Sequence, residues 1–211
     1  MSITSKSYLK TSGCMASKSH ISGTHSTAAG PSYFSSGDFD HYLEIAKEYA
    51  TQEYETVKVT RAARGQHNKA RIIHQSTVGK LGEFIAWAHL HAYFDDVEAP
   101  DLEVTRFKSY DADLYADDIP IGVKSQDKVS ADRYGASWMF QKRSAGSNAD
   151  PIVTRGNELY VFVIVDIRNK SAQVYGPTSI AELRPFFKPP KLKHLTSKTV
   201  LYLEDIISLV S

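Results

Sequence analysis

The segment Leu159-Tyr160-Val161-Phe162-Val163-Ile164-Val165 is almost wholly β-branched or aromatic. Successive side chains of a strand point to opposite faces of a sheet, so a strand that is apolar on both sides reads as a central strand covered on both faces. The remaining elements must therefore supply two covering layers. An apolar fraction of 42% over 211 residues is enough for one such core.

From Asp38 a helix is expected, because Tyr42, Ile45, Ala46, Tyr49 and Ala50 fall on one stripe while Asp40, Glu44, Lys47 and Glu48 lie mostly off it. Ser76 and Thr77 are cap candidates for a second helix running from Val78 to about Phe94, apolar on nearly every side and so buried on more than one face. Leu102 to Phe107, Ala112 to Ala116 and Ile119 to Ser125 read as strands, the last two joined by a tight turn at Asp117-Asp118. Gln173 to Tyr175 reads as another strand, followed by a turn at Gly176-Pro177 and by a capping box at Ser179-Ile180-Ala181-Glu182 that opens a short helix. Pro185, Pro189 and Pro190, with Lys188, Lys191 and Lys193, read as a basic surface loop, and Thr199 to Leu203 as an edge strand. In Ser137-Trp138-Met139-Phe140-Gln141, Trp138 and Phe140 alternate with Met139 in a way that suits core packing. The class is α/β, a mixed central sheet flanked by helices.

Residues 1–37 are mostly Ser, Thr, Gly, Ala and Lys without an acid, a composition expected to stay a flexible, weakly basic tail ahead of one domain spanning 38–211, although Tyr8, Tyr33 and Phe34 could dock. Cys14 is the only cysteine, which excludes an internal disulfide and a cysteine-cluster zinc site. Neither a signal-peptide core nor a membrane span is visible, so a soluble protein of the cytoplasm with no membrane partner is the expectation.

With 25 Lys and Arg against 24 Asp and Glu, any argument for a polyanionic partner must be local. Between Glu55 and Glu83 no acid occurs, while Lys58, Arg61, Arg64, Lys69, Arg71 and Lys80 do, with His67 and His74. Six cations in one stretch suit phosphate contacts, and a solvated basic loop is the plain alternative. The histidines lack the company of a zinc site.

Chemistry concentrates in Tyr110 to Gln126. Strand alternation places Asp111, Asp113 and Tyr115 on one face, and Gly122, Lys124 and Gln126 on one face of the partner strand. Two carboxylates and an ammonium then converge. Hydrolysis of a phosphodiester needs phosphate charge neutralised, a water deprotonated and a leaving oxygen stabilised, and a hard cation held by oxygen ligands helps with all three.

An Asp at the end of one strand, a short turn, and an apolar residue followed by Lys on the next resembles the active-site hairpin of the PD-(D/E)XK, or restriction-endonuclease-like, nucleases. Gly79-Lys80-Leu81-Gly82-Glu83-Phe84 is similar to the helix start from which many members lean a Glu over that hairpin. The resemblance covers roughly Ser76 to Val165. It implies a restriction-endonuclease-like fold and a Mg²⁺-dependent endonuclease, with Mn²⁺ as an alternative ion. Asp113 would be the metal ligand, Glu83 a further ligand or water-network acid, the Val123 carbonyl an extra ligand and Lys124 the catalytic lysine. It further implies DNA as partner, with RNA not excluded, a restriction or phage-type setting, and a homodimer as in many restriction-like enzymes.

The sequence departs from that pattern at Gly122, where the family usually has an acid. Gln126 can offer a neutral oxygen on the same strand face, and Asp111 could migrate toward the same site. The plain alternatives are an exposed cross-strand ion pair for Asp111, Asp113 and Lys124, and an ordinary first-turn acid for Glu83. Phe84 and Trp87 flank Glu83 on an otherwise apolar helix, so its carboxylate should have a partner. Two other function classes stay open: a nucleic-acid-binding module inactivated by Gly122, and a protein-interaction domain.

Overall fold

The computed structural model describes residues 32–33, 38–105, 112–142, 150, 159–191 and 195–210. The elements in chain order are β1 (Ser32–Tyr33), α1 (Phe39–Ala63), α2 (Lys69–Leu90), β2 (Leu114–Ala116), β3 (Ile119–Asp127), α3 (Lys128–Tyr134), β4 (Ser137–Gln141), β5 (Leu159–Asp166), β6 (Ser171–Ser179), α4 (Ile180–Leu183), a 3-10 turn (Arg184–Phe186), β7 (Lys198–Tyr202) and α5 (Leu203–Val210). Four strands, in the order β6-β5-β3-β2, form a mixed sheet, to which the two-residue β1 adds beyond β6. β3 and β5 run parallel and the other pairs antiparallel. β4 and β7 make a separate two-stranded sheet.

β5 occupies the predicted centre, between β3 and β6. Its odd residues Val161, Val163 and Val165 pack with Phe39, Leu43, Leu81 and Ile85 of α1 and α2. Its even residues Tyr160, Phe162 and Ile164 pack with Trp138, Phe140, Ile180, Leu183, Leu201 and Ile206 of β4, α4, β7 and α5. Each such buried side chain contributes about 1.5–3 kcal/mol of transfer free energy, which accounts for an apolar run with no polar face. Gln141 and Met139 show the period-two rule elsewhere: Trp138 and Phe140 are buried and Met139 is exposed.

Several boundaries differ from expectation. The buried stripe of α1 is Phe39, Leu43, Ala46 and Ala50, one step round from the predicted set, and the helix continues to Ala63. α2 starts at Lys69, capped by Asn68, whose side chain accepts from Arg71 N at 3.0 Å. Ser76 and Thr77 are therefore interior, and the Thr77 hydroxyl donates to the Ile73 carbonyl one turn back, the usual outlet for a mid-helix threonine. Leu102 to Thr105 form no strand; instead Val97 makes a single antiparallel bridge to Ala116. Gly176-Pro177 lies inside β6 rather than at a turn, where the β5 register shifts between Tyr160 and Phe162. The Asp117-Asp118 hairpin turn forms as expected, with φ of 47° and 61°, a left-handed pair that aspartate tolerates. So does the Ser179–Glu182 capping box. Within the expected tail, only Ser32 and Tyr33 lie among the described residues, and they pair with Val174 and Gln173. Among the described residues no helix is long and apolar enough to cross a membrane.

Candidate functional site

α2 lies close against β3. A Cβ on Gly82 would fall 1.8 Å from the Ser125 hydroxyl oxygen and 2.7 Å from its Cβ, so only glycine allows this approach. The next residue, Glu83, stands in the middle of α2, which removes its first-turn, helix-dipole explanation.

Glu83 does have a partner. Lys80, one turn back and itself only 7% exposed, donates from Nζ to Glu83 Oε2 at 2.5 Å. The same ammonium donates to the Asp101 carbonyl at 2.8 Å and sits 4.3 Å from the centre of the Tyr49 ring. Burial pushes the Glu83 carboxyl up to about 7; Lys80 opposes that shift and the charge of Asp113 adds to it. Burial, with the charges of Glu53, Glu83 and Asp101, also raises the Tyr49 hydroxyl, to about 12.

Asp113 stands just before β2 and continues its ladder, its N–H donating to the Ile121 carbonyl at 3.1 Å. Its carboxylate Oδ2 accepts from the Val123 N–H at 2.7 Å. A strand residue points its N–H and C=O to the same edge, so the Val123 carbonyl is directed to the edge where Asp113 lies. Asp111 lies outside the described residues.

Lys124 takes the opposite direction. Along β3, Ile121 and Val123 belong to the core shared with α1 and α2, and Ser125 meets Gly82. Lys124 lies over the Phe140 ring at 5.7 Å, and its Nζ is 3.4 Å from Asp150 Oδ2. The predicted amine is therefore engaged on the β4 side of the sheet, whereas the amine beside Glu83 is Lys80. Asp150 was not foreseen, since it is 26 positions from Lys124 in a stretch with no motif. Its second oxygen, Oδ1, is buried and has no hydrogen-bond partner among the described residues.

Gly122 also has a structural reason. A Cβ there would lie 2.3–2.9 Å from atoms of the Tyr160 ring, its cross-strand neighbour on β5. The aromatic ring fills the space in which an acid would stand. Gln126 does not replace that acid: its Oε1 accepts from Ser137 N at 2.9 Å and its Nε2 donates to the Gly135 carbonyl at 3.2 Å, so it ties β3 to the start of β4.

The basic stretch divides across the α1–α2 corner. Lys58 pairs with Glu55 at 2.5 Å, Lys69 lies over Tyr54 at 5.0 Å and 4.0 Å from Glu55, and Arg61 donates to Gln66 at 2.9 Å. Arg64 and Arg71 are exposed, with no ion pair among the described residues. The expectation that Lys80 belongs to a phosphate-binding face is corrected by its burial; its donors turn inward to Glu83 and Asp101.

Among the described residues no three His, Cys, Asp or Glu side chains gather as a metal site. Two carboxylates and a directed main-chain carbonyl are nonetheless a hard-oxygen donor set, and Mg²⁺ is commonly held by one or two carboxylates with waters and substrate phosphate completing its shell. Glu83, Asp113 and Val123 fit that ion by donor chemistry. Compared with protein-family models, with curated proteins and with solved structures, the chain matches none.

Proposed function

We propose that the chain is a metal-dependent endodeoxyribonuclease of the PD-(D/E)XK type, with its site at the edge of β3 beside α2. One observation carries this reading: the carboxyl of Glu83, half-buried on α2, is raised in part by the charge of the exposed hairpin carboxylate Asp113. A carboxylate gains nothing from a second one near it, whereas a divalent cation between the two would turn the repulsion into attraction. Bound there, Mg²⁺ would supply charge neutralisation at the scissile phosphate and a more acidic water. Asp113 would hold the ion with an oxygen fixed by the Val123 N–H, Glu83 would complete the pair, and the exposed cations at the α1–α2 corner would hold the DNA backbone.

Asp113→Ala is the direct test. It should abolish Mg²⁺-dependent cleavage of duplex or branched DNA while the protein stays folded by circular dichroism; cleavage at the wild-type rate would end this proposal.

A second reading has its own observations. With Tyr160 packed over Gly122 and Lys124 engaged by Asp150, a nucleic-acid-binding module without hydrolytic activity accommodates both facts. Salt-sensitive DNA binding, with no cleavage in Mg²⁺ or Mn²⁺ over a broad substrate panel, would favour it.

A further inference from the structure

We infer that Lys80 is the positioning residue of the acid pair, the side chain that aims Glu83 at the cation; this rests on the site proposed above. The sequence pointed to Lys124 as the site's amine. Lys124 instead lies over Phe140 and beside Asp150, on the β4 side of β3.

Lys80 is fixed from three directions. Its Nζ donates to Glu83 Oε2 at 2.5 Å and to the Asp101 carbonyl at 2.8 Å, and the face of Tyr49 lies 4.3 Å away. A free lysine side chain samples many rotamers, and these contacts hold it in one arrangement. An ammonium so fixed is an anchor. A glutamate side chain has three torsions, and a ligand oxygen must be held within about 0.5 Å of its productive place. By fixing Oε2, Lys80 leaves Oε1 as the oxygen Glu83 presents to an ion. Since its donors are used in this way, Lys80 touches neither phosphate nor the attacking water; it acts through Glu83. Asp101 joins the same assembly through its carbonyl, which ties the segment after Pro100 to the site.

The experiment is a Mn²⁺ titration of the full chain, followed by the electron paramagnetic resonance signal of free Mn²⁺, on wild type, Lys80→Met, Glu83→Gln, the double variant, Lys124→Met and Asp113→Ala. Thermal melting checks that each is folded. Lys80→Met should weaken Mn²⁺ binding at least 10-fold, Glu83→Gln should add less than twofold on top of it, and Lys124→Met should stay within twofold of wild type. Unchanged or tighter binding in a folded Lys80→Met protein overturns the inference, tighter binding meaning that the ammonium competes with the ion. If Lys80→Met does not fold, Lys80→Gln is read by the same criteria. A wild-type protein with no Mn²⁺ site overturns both the inference and the nuclease proposal. Binding that is lost in Asp113→Ala and kept in Lys80→Met overturns the inference alone.

Discussion

The two faces of β3 carry the same strand's alternate residues and have unlike chemistry. Toward α2, Val123 and Ser125 meet a helix that brings a half-buried acid and a buried amine, while Asp113 stands exposed at the strand edge. Toward β4, Gly122 lies under the Tyr160 ring, Lys124 turns to Asp150, and Gln126 is spent on main-chain groups. The first face holds charges in mutual tension, and the second holds polar groups in structural service. A sequence motif written on one strand does not keep its members in one place, because adjacent members leave by opposite faces and each face has its own neighbours.

The largest effect expected from testing that contrast is at Gly122. Gly122→Glu forces a side chain into the Tyr160 ring and buries a carboxylate without a partner, so a loss of about 4 kcal/mol or more is expected in urea unfolding. Adding Tyr160→Ala should recover part of it. A Gly122→Glu protein as stable as wild type would mean that the second face has room for the acid after all.

Next in size is the pH dependence at Glu83. Its folded carboxyl titrates at about 7, above its ordinary value, so between the two the folded protein keeps a proton that the unfolded chain has released. Stability from this group is therefore full at low pH and falls as pH rises through that window, by at most about 3 kcal/mol. Glu83→Gln should flatten that part of the stability curve, and saturating Mn²⁺ should do the same in wild type by favouring the ionised form. An unchanged slope in Glu83→Gln would remove the tension that distinguishes the first face.

The smallest effect belongs to Gln126. Gln126→Ala should cost about 1 kcal/mol through two lost hydrogen bonds to main chain, and leave Mn²⁺ affinity and any cleavage unchanged. A drop in Mn²⁺ affinity would return Gln126 to the site.

Much of the scaffold is legible in the sequence. Leu159 to Val165 announced its central place because both side-chain sets are apolar, Asp117-Asp118 announced a turn, and Ser179 with Glu182 announced a cap. These signals are local and depend on a few adjacent residues. The start of α2 was misplaced because Ser76 and Thr77 resemble caps, yet Asn68 satisfies the helix end earlier and the helix runs through them. α3, with Asp127 accepting from Val129 N as its cap, was not foreseen, being too short for a clear period, and neither was α5.

What the sequence by itself determined is therefore the list of ingredients: an α/β chain with a doubly covered strand, a hairpin bearing Asp113, and a helix bearing Glu83 that needed a partner. Only the tertiary structure decided which amine met which acid. Lys80 reaches Glu83 because one helical turn puts them side by side and the packing of α1 and α2 closes water out, while Lys124 leaves by the other face of β3 toward Asp150. Charge pairing depends on direction and burial, and both arise only when layers from distant parts of the chain are stacked.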